Sequence, residues 1–76
     1  AAVALPAGVL TLLGTPMSTS QLVGVTGQGL GSVGRHLRVL LDARLVERRR
    51  AGRSVLYSRT AAGEVLVEAG RGRGPG

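Results

Sequence analysis

The chain contains a single aromatic residue, Tyr57, and no cysteine. Its hydrophobic core must therefore be built from Leu, Val and Ala, without disulfide bonds to hold a small structure together. Domains of about 60 residues bury only about 60% of their unfolded surface, so the 76 residues of this chain allow no more than one domain. Because 43% of the residues are hydrophobic, the composition still favours a folded chain over a disordered one.

Positive charge is the second constraint on this chain. Ten arginines, no lysine and four acidic residues give a formal net charge of +6 at pH 7. A small domain with this net positive charge attracts polyanions, so nucleic acid is the first partner to consider. One histidine and four carboxylates scattered along the chain provide few ligands for a metal site. We therefore expect no metal, no cofactor and no enzymatic activity.

The apolar N-terminal stretch, residues 1–14, predicts a helix within a folded domain. It is shorter than the about 18 apolar residues of a membrane span, and it lacks the positively charged start of a signal peptide. We expect a cytoplasmic protein without a membrane segment. Near-helical spacing of the leucines and valines predicts a first helix over residues 5–13.

Two further helices are predicted on either side of a glycine-rich turn. Ser18 and Gln21 have the spacing of a capping box, which predicts a second helix over residues 19–25. Three glycines at alternate positions over residues 27–31 favour a tight turn between the two helices. A third helix, over about residues 29–41, is then predicted by an apolar face and a basic outer face. The residues of the apolar face are Leu30, Val33, Leu37, Leu40 and Leu41.

The C-terminal half predicts a β-hairpin and a last helix. Residues 45–50 and 55–59 contain strand-forming residues on either side of a turn, and the first of these strands is rich in arginine. Thr60 can cap a last helix over residues 61–69. Residues 70–76 consist of glycine, arginine and proline and are expected to form a disordered tail.

This order of elements is typical of a winged helix-turn-helix domain, here residues 1–69, which is mainly α with one small β-hairpin. In that fold the second helix of the helix-turn-helix enters the major groove of DNA, and the hairpin, or wing, lies beside it. The expected recognition helix is residues 29–41, and the expected wing is residues 48–57.

Two stretches resemble the ArsR/SmtB-type winged-helix repressors, over roughly residues 12–64. VGRHLRVL at residues 33–40, followed by ARLV at 43–46, is similar to the family pattern VSRHLKVL…AGLV, and RRAGRSVLY at 49–57 is similar to the wing RREGRWVYY. Gly29 and Gly34 depart from the pattern, and the metal-binding Cys and His positions of the family's sensor branch have no counterpart. The resemblance therefore implies a bacterial transcription regulator that binds double-stranded DNA, without metal sensing.

The same resemblance implies a homodimer formed through the terminal helices. The apolar side chains in these helices fit either the core of one chain or an interface between two chains. They are Leu5, Val9, Leu12, Leu13, Val65 and Leu66.

Candidate DNA contacts lie in the third helix and in the wing, where arginine can bind phosphates, guanine edges or a narrow minor groove. Each of these side chains also fits the simpler interpretation of a solvated surface group. Strand alternation places Arg48 and Arg50 on one face and Arg49 on the other, and Tyr57 is expected to pack in the core rather than to contact DNA. The candidate contacts are Gln28, Ser32, Arg35, His36, Arg38, Arg48, Arg50 and Arg53.

Two alternatives remain at this stage. Residues 29–34 match G-x-G-x-x-G, the fingerprint of NAD(P)-binding Rossmann domains, and they follow an apolar stretch at residues 22–25. That alternative, a fragment of such a domain, requires a strand at residues 22–25 and further βαβ units. A winged helix that binds protein instead of DNA is the other alternative, because fold alone does not determine function.

Overall fold

The structure is a computed structural model that describes residues 6–72. These residues form four helices and one antiparallel two-stranded hairpin, which confirms the predicted fold class and order of elements. The helices are α1 (Pro6–Leu12), α2 (Thr19–Thr26), α3 (Leu30–Asp42) and α4 (Ala61–Gly72), and the strands are β1 (Val46–Ala51) and β2 (Ser54–Arg59).

The terminal helices differ from the predicted ranges. Helix α1 begins at Pro6 and ends at Leu12, and α4 continues to Gly72, three residues beyond its predicted end. Residues 70–72, which were expected to be disordered, are therefore helical. Leu5 and the remainder of the predicted tail, residues 73–76, lie outside the described residues.

Helix α2 begins where its capping box predicts and ends at Thr26, one residue beyond its predicted end. The Ser18 hydroxyl accepts a hydrogen bond from the Gln21 backbone N–H at 3.2 Å, and the Gln21 side chain accepts one from the Ser18 N–H at 2.8 Å. At the other end, Gly27 has a left-handed backbone (φ 72°) and donates its N–H to the Val23 carbonyl at 2.9 Å. Glycine adopts this conformation without steric cost, and it turns the chain towards α3.

Leucine and valine side chains from α1, α2, α3 and β1 form one core, and Tyr57 packs against its edge. The predicted apolar face of α3 is largely correct, since Val33, Leu37 and Leu40 are buried. Leu30 was wrongly included in that face. It is the first residue of α3 and is 64% exposed, so it lies outside the buried part of that face. The buried core residues are Val9, Leu10, Leu13, Leu22, Val33, Leu37, Leu40 and Val46.

The hairpin has an unbroken register from Val46 opposite Arg59 to Ala51 opposite Ser54. A two-residue turn connects the strands, and its first residue, Gly52, has φ 61°. Mirror-image turns have a positive φ at this position, which glycine adopts readily. Hairpins favour these turns because the twist of the turn matches that of the strands. Tyr57 lies between Arg48 on one side and Met17 on the other, and it exchanges two backbone hydrogen bonds with Met17, of 3.0 and 2.7 Å.

The dinucleotide-binding alternative is wrong for this chain. Residues 22–25 lie within helix α2, not in a strand, and the sheet within residues 6–72 is a single antiparallel hairpin. Gly29 precedes α3 with an extended backbone, and Gly31 and Gly34 lie inside the helix. The G-x-G-x-x-G sequence therefore spans a helix start instead of a phosphate-binding turn between a strand and a helix.

Candidate nucleic-acid interface

Helix α3 presents a basic face to solvent. Arg35 and Arg38 are exposed, and with 3.6 residues per turn Arg35 lies roughly opposite the buried row of Val33 and Leu37. Gly31 and Gly34 are also exposed, and a Cβ added at either would have no neighbour within 4 Å. This face is therefore open to solvent around the two arginines.

The other candidate residues near α3 lie at its flank and at the turn before it. Ser32 and His36 are half-buried, one helical turn apart, on the side of α3 away from Gly34. Gln28 is half-buried in the turn, where its backbone N–H donates to the Thr26 hydroxyl at 3.1 Å. Their side chains are less accessible than those of Arg35 and Arg38.

The three wing candidates, Arg48, Arg50 and Arg53, are all exposed. The register places Arg48 and Arg50 on one face of β1, as the alternation predicts, and Arg53 in the turn at the tip. Arg49 lies on the opposite face. The hairpin therefore offers an arginine at its middle, near its end and at its tip.

A groove lies between α3 and the hairpin and is lined by residues of both elements. Its volume is about 510 Å³. Arg38 of α3 and Arg48 of β1 both line it, together with Asp42, Tyr57 and Thr19. One expected contact from α3, Arg38, and one from the wing, Arg48, thus line the same groove.

Arg59 is an arginine with a role that sequence reasoning missed. Its side chain is only 7% exposed, and it donates to the carbonyl oxygens of Leu10 and Thr11 at 2.9 and 2.7 Å and to the Glu64 carboxylate at 2.9 Å. Carbonyls in the last turn of a helix have no partner within the helix, so Arg59 caps α1 and ties β2 to α4. Strand parity gives no signal for this role, because Arg48 and Arg50 have the same parity as the buried Val46 and are exposed.

The terminal helices leave apolar side chains exposed. Val65 and Leu66 in α4 are 68% and 50% exposed, so of the two interpretations the core of a single chain does not apply to them. Val9 and Leu13 are buried as expected, and Leu12 is half-buried. Between α1 and α4 lies an apolar groove of about 240 Å³, lined by Ala7, Leu10, Thr11, Leu66, Val67 and Gly70.

Two features of the described part of the chain bear on other functions. No three His, Asp or Glu side chains within residues 6–72 are grouped so that they could hold a metal ion. None of the helices formed by these residues is long and apolar enough to cross a membrane.

Solved structures share this fold. A ZitR variant from Lactococcus lactis in its apo form has a TM-score of 0.83 at 20% identity, covering 88% of this chain and 54% of its own. A MarR variant from E. coli, complexed with operator DNA, has a TM-score of 0.79 at 26% identity, covering 84% and 49%. Reduced HlyU from Vibrio cholerae has a TM-score of 0.78 at 19% identity, covering 99% and 83%.

The fold of this chain is therefore the winged helix found in these transcription regulators. The chain spans about half the length of the ZitR and MarR chains. No family model matches the sequence, and no curated protein matches it significantly.

Proposed function

We propose that this chain is the DNA-binding domain of a bacterial transcription regulator that acts in the cytoplasm and has no catalytic activity of its own. The observation that carries the proposal is the continuous basic surface formed by α3 and the hairpin. Arg38 and Arg48 come from different elements and line one groove, and Arg35, Arg50 and Arg53 extend the positive charge on either side.

In this proposal α3 lies in the major groove and the hairpin follows the neighbouring backbone or minor groove. Arg35 is exposed on the side of α3 opposite its buried residues and is the side chain best placed to reach base edges. Arg53, at the tip, is best placed for a minor groove, whose negative potential attracts guanidinium groups. Ser32, His36 and Gln28 are secondary contacts at the flank and the turn.

Similarity to the MarR structure supports this proposal, because that chain was solved with operator DNA and is 26% identical to this one. The two sequence motifs favour the ArsR/SmtB branch of winged-helix regulators in particular. The first motif lies largely in α3 and the second lies in the hairpin, the two elements that we propose contact DNA.

We also propose that the regulator is a homodimer formed through α1 and α4. Val65 and Leu66 are exposed, and a small domain with few core residues gains stability by burying them against a second copy. The apolar groove between α1 and α4 lies beside Leu66 and would be covered in such a dimer.

Enrichment of random DNA duplexes by the purified chain tests this dimer. A two-fold dimer places its two α3 helices in successive major grooves, so the recovered sequence should be a palindrome with half-sites about 10 base pairs apart. A single recovered half-site without symmetry would contradict the dimer but not DNA binding.

The salt dependence of binding tests the proposed function itself. If about four to five arginines per protomer neutralise phosphates, log K plotted against log salt concentration should have a slope near −4 per protomer. Fluorescence anisotropy with a labelled duplex at several salt concentrations measures this slope. Binding that does not respond to salt, or no binding at all, would exclude DNA as the partner and favour a protein-binding module.

A further inference from the structure

The groove between α3 and the hairpin contains more than the two arginines predicted from sequence. Thr19, the first residue of α2, and Tyr57, in the middle of β2, also line it. Asp42, the last residue of α3, contributes a carboxylate to the same groove. Four elements of the fold thus bring two cations, one anion and two hydroxyls together.

The charged groups in this groove are not paired with one another. Within the part of the chain that the structure describes, the guanidinium groups of Arg38 and Arg48 form no ion pair, and the Asp42 carboxylate forms none either. The contrast is Arg59, in which each of the three guanidinium nitrogens donates a hydrogen bond, one to Glu64 and two to carbonyls. Arg38 and Arg48 therefore keep their donors for an external acceptor.

Tyr57 is held in a fixed position beside Arg48. The two residues are direct partners in the antiparallel register, so their side chains lie on the same face with their Cβ atoms about 5 Å apart. On its other side the Tyr57 backbone is fixed to Met17 by two hydrogen bonds, which also brings Thr19 close to β2. In residues 6–72 the hydroxyls of Tyr57 and Thr19 have no hydrogen-bond partner.

The geometry of docking determines which anion this groove would meet. If α3 occupies a major groove and the hairpin reaches the neighbouring minor groove, one sugar–phosphate strand must pass between them. The space between α3 and the hairpin is the groove lined by Arg38 and Arg48. A phosphate group of that strand would be near two guanidinium groups, which bind phosphate oxygens in a forked geometry.

We propose that this groove binds one phosphate of the DNA backbone, with Arg38 and Arg48 as the cationic ligands and the hydroxyls of Tyr57 and Thr19 as additional donors. Asp42 weakens this site, because its carboxylate faces the same phosphate. The proposal rests on the proposed function. It changes the predicted role of Tyr57, whose ring packs against the core while its hydroxyl edge contacts DNA.

Two substitutions that leave the charge unchanged test the hydroxyl donors. Tyr57→Phe keeps the ring that packs on the core, and Thr19→Val keeps the shape of its side chain. Each should weaken duplex binding about tenfold or more, the usual effect of losing one hydrogen bond to a charged group. The slope of log K against log salt should not change, since no phosphate loses its counter-charge. An unchanged midpoint of urea unfolding shows that the loss is not a folding defect.

Two charge substitutions test the ionic groups. Asp42→Asn should tighten duplex binding about two- to fivefold by removing the opposing carboxylate. Arg48→Ala should weaken binding and reduce the salt slope by about one unit. Arg49→Ala is the matched control, because it removes the same charge from the neighbouring position on the opposite face of β1. It should weaken binding less than Arg48→Ala.

The outcomes separate this proposal from the proposed function. If the unaltered chain binds duplex DNA with a steep salt response but Tyr57→Phe and Asp42→Asn bind as it does, the groove proposal is overturned and DNA binding stands. Inorganic phosphate, added at constant ionic strength, should compete with the duplex for the unaltered chain and less for Tyr57→Phe. Phosphate that shifts the NMR signals of the Tyr57 ring without displacing DNA would overturn the assignment of the groove to the backbone.

Discussion

Gly63→Ala is expected to lower the free energy of unfolding by about 3 kcal/mol or more, although alanine is the better helix former. Gly63 is buried in the first turn of α4. A Cβ atom built there would overlap the backbone carbonyl oxygen of Leu45 and lie 3.3 Å from a methyl group of Leu10. The clash is with backbone, so it cannot be relieved by rotating a side chain.

Helix α4 cannot easily move away from this contact. The Thr60 N–H donates to the same Leu45 carbonyl at 3.0 Å, and the Thr60 hydroxyl donates to the Arg44 carbonyl at 2.7 Å. Glu64, the next residue after Gly63, accepts from Arg59. Shifting α4 to accommodate a methyl group would weaken all of these interactions, and the total stability of a small domain is only about 5–15 kcal/mol.

Gly34→Ala is the matched control for this prediction. Gly34 also lies inside a helix, but a Cβ added there would have no neighbour within 4 Å. It should therefore raise the free energy of unfolding by about 0.5–1 kcal/mol. Urea denaturation followed by circular dichroism measures both variants. Equal effects of the same sign on the two variants would mean that the Leu45 carbonyl does not lie against Gly63.

The contrast between Gly63 and Gly34 shows which part of the fold the sequence predicts and which it does not. Periodicity and capping residues depend on neighbours in the chain, so they correctly predict α2, α3 and the hairpin. A glycine required by the approach of a distant backbone has no local signal. In sequence Gly63 and Gly34 are equivalent, and only the position of Leu45 distinguishes them.

The same distinction applies to the arginines of the candidate site. Their number and their alternation along β1 predict a basic wing, and Arg48, Arg50 and Arg53 are exposed there. Arg59 lies in the same hairpin, but its guanidinium binds the end of α1 and is not available to phosphate. Tyr57 was expected only to pack, because the meeting of α2, α3 and β2 in one groove is a tertiary feature.

Arg35→Ala is expected to reduce sequence discrimination more than overall affinity. Arg35 is exposed on the face of α3 opposite its buried residues. An arginine that forms two hydrogen bonds with guanine O6 and N7 discriminates between bases by about 1–3 kcal/mol. Binding to the duplex selected from random sequences should therefore weaken much more than binding to a scrambled duplex. The ratio of the two dissociation constants measures this loss.

Arg53→Ala is the comparison that separates base recognition from backbone contacts. Arg53 lies at the tip of the hairpin, where contacts to phosphates and to the shape of the minor groove carry little sequence information. Its removal should weaken binding to the selected and scrambled duplexes about equally and reduce the salt slope by about one unit. Both variants are measured on both duplexes at two salt concentrations. If Arg35→Ala also weakens the two duplexes equally, α3 does not recognise bases through Arg35, and Gln28 and Ser32 become the candidates for base recognition.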